Sequence, residues 1–349
     1  MSMGNAIVLS GGLLNKLDAK TTHGLLRGTE RFTIQAVVDH VNAGKDAGEV
    51  MDGKHLNIPV YASVGAALEA LPIRPDYCIV GVATIGGVLP PNMLEEIRLA
   101  LGHGISIVNG LHDFLSEKPE IVALAEANNA TLIDVRKPKR RADLHFWDAK
   151  IFSVTAPIVA VIGMDCATGK RTTARFLRDA CRAKGHKAQM IYTGQTGWMQ
   201  GGEYGFIFDS TLNDFISGEL EHAIVSCWTE TQADIIFLEG QSALRNPSGP
   251  CGSEFLISGN AKKVVLVVPL KREYFDDLPE WGPIPSVESE IALIKAYGAE
   301  VVALALNTRG ASEAEIAAYQ QEYASKLGIP VVAPLEEGVD RIVEVLLPA

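Results

Sequence analysis

Short apolar runs alternate with stretches of helical spacing from one end of this chain to the other, with Gly or Pro at most of the joints. That alternation restricts the fold more than any other feature. Parallel strands need a crossover between them, usually a helix, so the pattern predicts α/β architecture. In the first half, strands are predicted at 6–9, 34–39, 60–61, 77–82, 105–108 and 131–135, with helices at 64–70, 92–101 and 120–127. The pattern restarts after 150. Strands are predicted there at 157–162, 188–192, 234–238, 264–268, 300–306 and 330–333, with helices at 169–184, 214–229, 287–297, 312–327 and 339–347. A chain of 349 residues is long enough for two cores. We therefore expect two doubly wound parallel sheets, a Rossmann-like domain over 1–150 and a second open α/β domain over 151–349, whose P-loop-like character rests on the loop described below.

Composition narrows the function. No apolar run approaches the roughly 18 residues of a membrane span, and residues 1–5 carry no basic flank of the signal-peptide kind. The five cysteines are scattered without a CxxC pair, as expected of reduced thiols in a cytoplasm and not of a zinc site. Charge is uneven: residues 1–150 hold 15 Lys and Arg against 17 Asp and Glu, and residues 151–349 hold 16 against 25. An acidic second half argues against nucleic acid and leaves a small molecule as the expected partner. An anionic ligand would then need a local device, such as backbone amides, a helix N-terminus or a few placed cations. The sequence allows a homo-oligomer without fixing its order.

Such a device is present. Gly163, Met164, Asp165, Cys166, Ala167, Thr168, Gly169, Lys170, Arg171, Thr172 and Thr173 leave an apolar strand and enter an amphipathic helix. In that context glycines let successive N–H groups turn inward, the helix end adds positive potential, and Lys170 reaches terminal oxygens. The loop departs from the common form twice. Five residues separate its glycines instead of four, and Arg171 stands where Ser or Thr normally meets Mg²⁺. Thr172 is the neighbouring hydroxyl.

Other candidates fall at strand ends, where open α/β sheets bind ligands. Glu239 ends one strand and is followed by Gln241 and Ser242; Gln195 follows another; Asn307 ends a third, where an amide suits the edge of an adenine. The bland alternative for Glu239 is a solvated turn carboxylate. The stretch Arg136, Lys137, Pro138, Lys139, Arg140, Arg141 places five cations in six residues, either as a solvated linker or as partners of an anion at the domain junction. The first domain has no GxGxxG after its first strand, so NAD is not expected, although Asp39 ends the second strand where dinucleotide enzymes hold a ribose.

These residues carry two resemblances. The loop spacing, Glu239-Gly240 and Asn307 are similar to dethiobiotin synthetase and its P-loop relatives. Over nearly the full length, residues 163–173, 193–197, 239–242, 108–114 and 133–138 resemble a two-domain family long catalogued without a function, whose characterised members are D-glutamate N-acetyltransferases. That resemblance implies a Rossmann-like N-terminal domain, a dethiobiotin-synthetase-like C-terminal domain, and acetylation of D-glutamate from acetyl-CoA in D-amino-acid catabolism.

Thioester aminolysis needs a base, donors for an oxyanion and a thiolate that leaves; it demands neither ATP nor metal. The loop over 163–173 and Asn307 would then hold the CoA phosphates and base, and no metal ligand is expected. Arg136 and Lys137 are the candidate partners of the substrate carboxylates, in a cleft between the domains, with Gln195, Gln241 and Ser242 beside them. Glu239 and Asp165 are both candidates for the base. Transfer is either direct or through an acetyl group on Cys166. Two rivals stand: an ATP- and Mg²⁺-dependent kinase or ligase, and a nucleotide-binding regulatory module.

Overall fold

In residues 3–347, which the computed structural model describes, twelve strands form two parallel six-stranded sheets. The first contains β1 (Gly4–Leu9), β2 (Phe32–Val38), β3 (Val60–Tyr61), β4 (Tyr77–Val80), β5 (Ser106–Asn109) and β6 (Leu132–Asp134). Its order is β3-β2-β1-β4-β5-β6, the Rossmann arrangement with the reversal between β1 and β4. The second contains β7 (Ile158–Gly163), β8 (Ala188–Ile191), β9 (Ile235–Glu239), β10 (Lys263–Pro269), β11 (Glu300–Asn307) and β12 (Val331–Val332), in the order β12-β11-β10-β7-β9-β8. Every predicted strand is present, with ends displaced by at most two residues.

The runs form strands because helices cover both faces of each sheet, so alternation gives way to continuous apolar sequence. All six residues of β7 are buried, as are Val264–Val268 of β10. Each sheet accordingly has two cores, one per face. The helix Lys170–Ala183 packs Ala174, Leu177 and Cys181 on the second sheet, a spacing of three and four that keeps them on one stripe. The helix Glu313–Leu327 starts at a capping box, Ser312 with Glu315, and ends at Gly328. Five short helices, Lys20–Leu26, Ala47–Asp52, Gln195–Met199, Ser253–Ile257 and Pro334–Glu337, are not in the sequence prediction. The first carries Thr21, Thr22, His23 and Gly24, weak helix formers whose burial decides the matter.

The chain divides into two units, one of residues up to Pro138 together with Gln195–Gly201, the other from Lys139 onward without that insert. This differs from a boundary at 150. Residues 139–150 belong to the second unit because buried carboxylates of the helix Asn213–Thr231 hold them. Glu219 accepts from Lys139 Nζ (2.6 Å), the His145 amide and His145 Nδ1 (both 2.8 Å). Glu221 accepts from the amides of Asp148 (2.7 Å) and Ile151 (2.9 Å). The insert 195–201 is tied to the first unit by Thr196 on Thr21 (3.0 Å) and by Gln200 Nε2 on the carbonyls of Gly24 (2.6 Å) and Gly28 (3.0 Å).

Candidate active site

Because the strands of the second sheet are parallel, their C-terminal ends share one edge, and the loops after β7, β8, β9, β10 and β11 meet there. The loop after β7 is shaped by its glycines. A Cβ on Gly163 would lie 2.5 Å from Thr168 Oγ1, so the chain closes tightly only with glycine there. Gly169 starts the helix Lys170–Ala183 at φ +104°, a left-handed conformation that a side chain would strain. Ala167 adopts φ +50° without that licence, a local cost of the kind found at ligand sites. The first-turn amides have no intrahelical partner, and Lys170 Nζ lies at the mouth, 2.6 Å from the Asp165 carbonyl oxygen. Such an arrangement of amides and a lysine can hold an anion such as phosphate.

Asp165 is fully buried and fully engaged. Its Oδ1 accepts from Asn246 Nδ2 (2.8 Å), and its Oδ2 accepts from Arg272 Nη1 (2.6 Å) and the Asp276 amide (2.8 Å). Arg272 Nη1 also donates to the Cys166 carbonyl (2.8 Å). Asp165 thus fastens the loops carrying 246 and 272–276 to the phosphate loop. Ligand atoms of Asp165, Cys166 and Asp276 lie within 4.8 Å of one another, close enough for a cation. Their oxygens already answer to Asn246 and Arg272, which makes this a clamp. The sequence reading does not single out Asn246, Arg272 or Asp276. Arg272 follows β10, next to the loop strand, so the strand-end rule applied to that run finds it.

Glu239, at the end of β9, is buried. Its Oε1 faces Arg171 Nη1 at 3.5 Å, and its Oε2 accepts the Thr193 amide at 3.2 Å. Thr193 Oγ1 donates to the Glu239 carbonyl (2.6 Å) and accepts Gln241 Nε2 (2.9 Å). Burial pushes the Glu239 carboxyl above the usual carboxylate range, against the opposing pull of Arg171, the Thr193 amide and Lys170. Burial likewise raises the Cys166 thiol, although Lys170 and the Ser242 hydroxyl, 3.4 Å away, pull the other way. It rests as a thiol. Ser242 holds φ +31° to reach it. Thr172 is half-buried on the first helical turn, and Thr173 closes the first helical bond to Gly169.

Asn307 makes contacts within its own unit. Its Nδ2 donates to the Thr168 carbonyl (2.9 Å) and its Oδ1 accepts the Arg309 amide (3.1 Å), so it braces the phosphate loop.

The second unit therefore brings together Asp165, Cys166, Lys170, Arg171, Glu239, Gln241, Ser242 and Asn307. The remaining substrate candidates lie in the first unit. Arg136 is buried, with Nη1 2.6 Å from the Gly110 carbonyl, and Gln195 packs over that same glycine. Lys137 is half-exposed and donates to Ser116 Oγ (2.8 Å). Lys139 is taken by Glu219 and Arg140 by Asp143 (2.7 Å). The basic stretch is thus divided among local partners.

Asp39, just after β2, is spent on local donors. Its Oδ2 accepts from Ser10 Oγ and the amides of Gly12 and Leu14, and its Oδ1 from the amides of Val41 and Asn42 and from Asn42 Nδ2. Burial opposes ionisation, yet these donors together hold its carboxyl below the usual range. It closes the loop where a ribose would otherwise be held. A cavity of about 260 Å³ in the same unit is lined by apolar Leu9, Val38, Ala62 and Met93 and by polar His40, Asn92 and Glu96.

Comparison with known proteins agrees with this architecture. Residues 40–138 match the Rossmann-like N-terminal domain and residues 145–343 the P-loop domain of DUF1611, both described as domains of unknown function. The crystal structure of a DUF1611 family protein from Anabaena variabilis ATCC 29413 superimposes with a TM-score of 0.88 at 28% identity, covering 98% of each chain. A D-glutamate N-acetyltransferase of Tritonibacter scottomollicae is 30% identical over 77% of this chain and 80% of its own. One from a Pseudoalteromonas species is 31% identical over 79% and 82%. Among the described residues, no helix is long and apolar enough to cross a membrane.

Proposed function

The chain belongs to the DUF1611 family, and from its likeness to two proteins named D-glutamate N-acetyltransferase we propose that it is an N-acetyltransferase moving the acetyl group of acetyl-CoA to the amine of an acidic amino acid, D-glutamate, in cytoplasmic D-amino-acid catabolism. The observation that carries this reading is the pairing of Arg171 with Glu239 beneath an amide-lined loop. In a phosphoryl-transfer enzyme the corresponding hydroxyl and carboxylate hold Mg²⁺. Here a guanidinium replaces the hydroxyl and occupies the carboxylate. The loop keeps what an anion needs and gives up what a metal needs, which suits the phosphates of CoA better than the cleavage of ATP.

In this reading the amides of 166–170 and Lys170 hold phosphate, and Asp165 with Asn246, Arg272 and Asn307 keeps the loop in shape. Glu239 takes the proton of the substrate ammonium; burial has raised its affinity for one. Cys166, held as a thiol by burial, favours direct transfer over an acetyl-enzyme. Neither ATP nor a metal takes part. The test is release of free thiol from acetyl-CoA across both enantiomers of glutamate and aspartate. Release with D-glutamate supports the proposal, and silence with every acidic amino acid overturns it.

A further inference from the structure

The segment 139–153 lies across the helix Asn213–Thr231 as a fixed arm. A Cβ on Gly218 would meet the His145 carbonyl oxygen at 2.1 Å, so arm and helix are in backbone contact, and Glu219 and Glu221 pin the arm from below. A segment held this firmly nevertheless turns large apolar side chains outward. Phe146 is 70% exposed and Phe152 66%, beside Leu212 at 53% and Ile257 at 59%. They form one face. Phe146 meets Phe215 edge-on with ring centroids 6.1 Å apart, and Phe152 meets Trp147 at 6.0 Å. Trp147 Nε1 in turn donates to the carbonyl of Ser258, next to Ile257. At about 150–250 Å² per large side chain, these four leave on the order of 450 Å² of apolar surface open. That is a patch of the size that marks interaction sites, and about half of what one partner buries in a standard interface.

We propose that this face is an isologous interface between two copies of the chain. Charge selects the partner. The chain as a whole carries −11, so two copies repel over most of their surface. The arm is locally inverted, with Lys139, Arg140, Arg141 and Lys150 against Asp143 and Asp148. Arg140 and Lys150 are paired within the arm, and Lys139 with Glu219. Arg141, before the aromatics, and Asp214, beside Phe215, are both exposed and have no salt-bridge partner among the described residues. One unpaired cation on the arm and one unpaired anion on the helix suit a two-fold axis, under which each copy can offer Arg141 to the other's Asp214. The fixed arm keeps the cost of ordering this face low.

Sedimentation velocity of the full chain over a dilution series tests this. A dimer is expected for the natural sequence. The double variant Phe146→Ser, Phe152→Ser should raise the dimer Kd at least about a hundredfold, with thermal unfolding monitored to establish that the fold is intact. Arg141→Glu and Asp214→Lys should each weaken the dimer alone and restore it together, a pattern that only pairing between copies produces. A monomer at every concentration, or a dimer indifferent to both sets of variants, overturns the proposal. So does binding to anionic vesicles without self-association, which would assign the face to a membrane.

Discussion

Lys170 and Glu239 show how single side chains are set by their surroundings. Lys170 Nζ rests on the Asp165 carbonyl at the mouth of the loop, a position from which a short swing meets an incoming phosphate. Lys170→Ala should raise the KM for acetyl-CoA at least about tenfold, the effect of losing one charge-assisted contact. Steady-state kinetics on the folded variant check this, and unchanged CoA affinity would remove the phosphate assignment. Glu239 must be ionised to accept a proton, and burial lifts its pKa. Activity should therefore fall on the acid side at a pH above the ordinary glutamate value of about 4.3. In a pH profile of kcat/KM for the amino acid, Glu239→Gln should depress the rate and abolish that acid limb. A variant that keeps the limb would show that another group is the base.

Elements decide which residues have work left over for a ligand. The phosphate loop was legible because glycines, a lysine, a strand before and a helix after all lie within twenty residues. The role of Asp165 was not, because its partners Asn246, Arg272 and Asp276 come from two loops about 80 to 110 residues away. Asn307 was placed at its strand end correctly, but its bonds to Thr168 and Arg309 are tertiary facts. The basic stretch separates in the same way. In denaturant titrations Arg136→Gln, which breaks a buried bond to the Gly110 carbonyl, should cost about 1–3 kcal/mol, and Lys137→Gln, half-exposed with contacts to Ser116 and Glu117, should cost little. Equal effects of the two substitutions would contradict this division.

The arm 139–153 makes an independent prediction. Burial opposes the charge on Glu219, but Lys139 and the amide and ring of His145 outweigh it and hold the carboxyl below its usual range. A depressed pKa contributes stability above the unfolded value, about 4.3, that disappears as pH falls through the folded value. Glu219→Gln should cost about 1.5–3 kcal/mol at neutral pH in denaturant titrations. The difference from the natural sequence should persist down to about pH 4.3 and shrink below it. A difference that grows on acidification would show that the arm is held by something else.

For the whole molecule, both sheets follow from apolar runs at regular intervals, and their number and type were readable because buried parallel strands leave so plain a signature. The division into units was less so. Residues 195–201 occur inside the second half of the sequence and belong to the first unit, and residues 139–150 do the reverse. Such exchanges are decided by buried carboxylates and side-chain amides meeting backbone from distant segments, which periodicity does not record. The central claim is that this P-loop serves acetyl transfer instead of phosphoryl transfer. Its most direct test is acetyl-CoA and D-glutamate incubated with the protein in EDTA, without nucleotide, with thiol release and product mass followed together. The proposal predicts undiminished release and N-acetyl-D-glutamate as product; turnover that appears only when ATP and Mg²⁺ are supplied would contradict it.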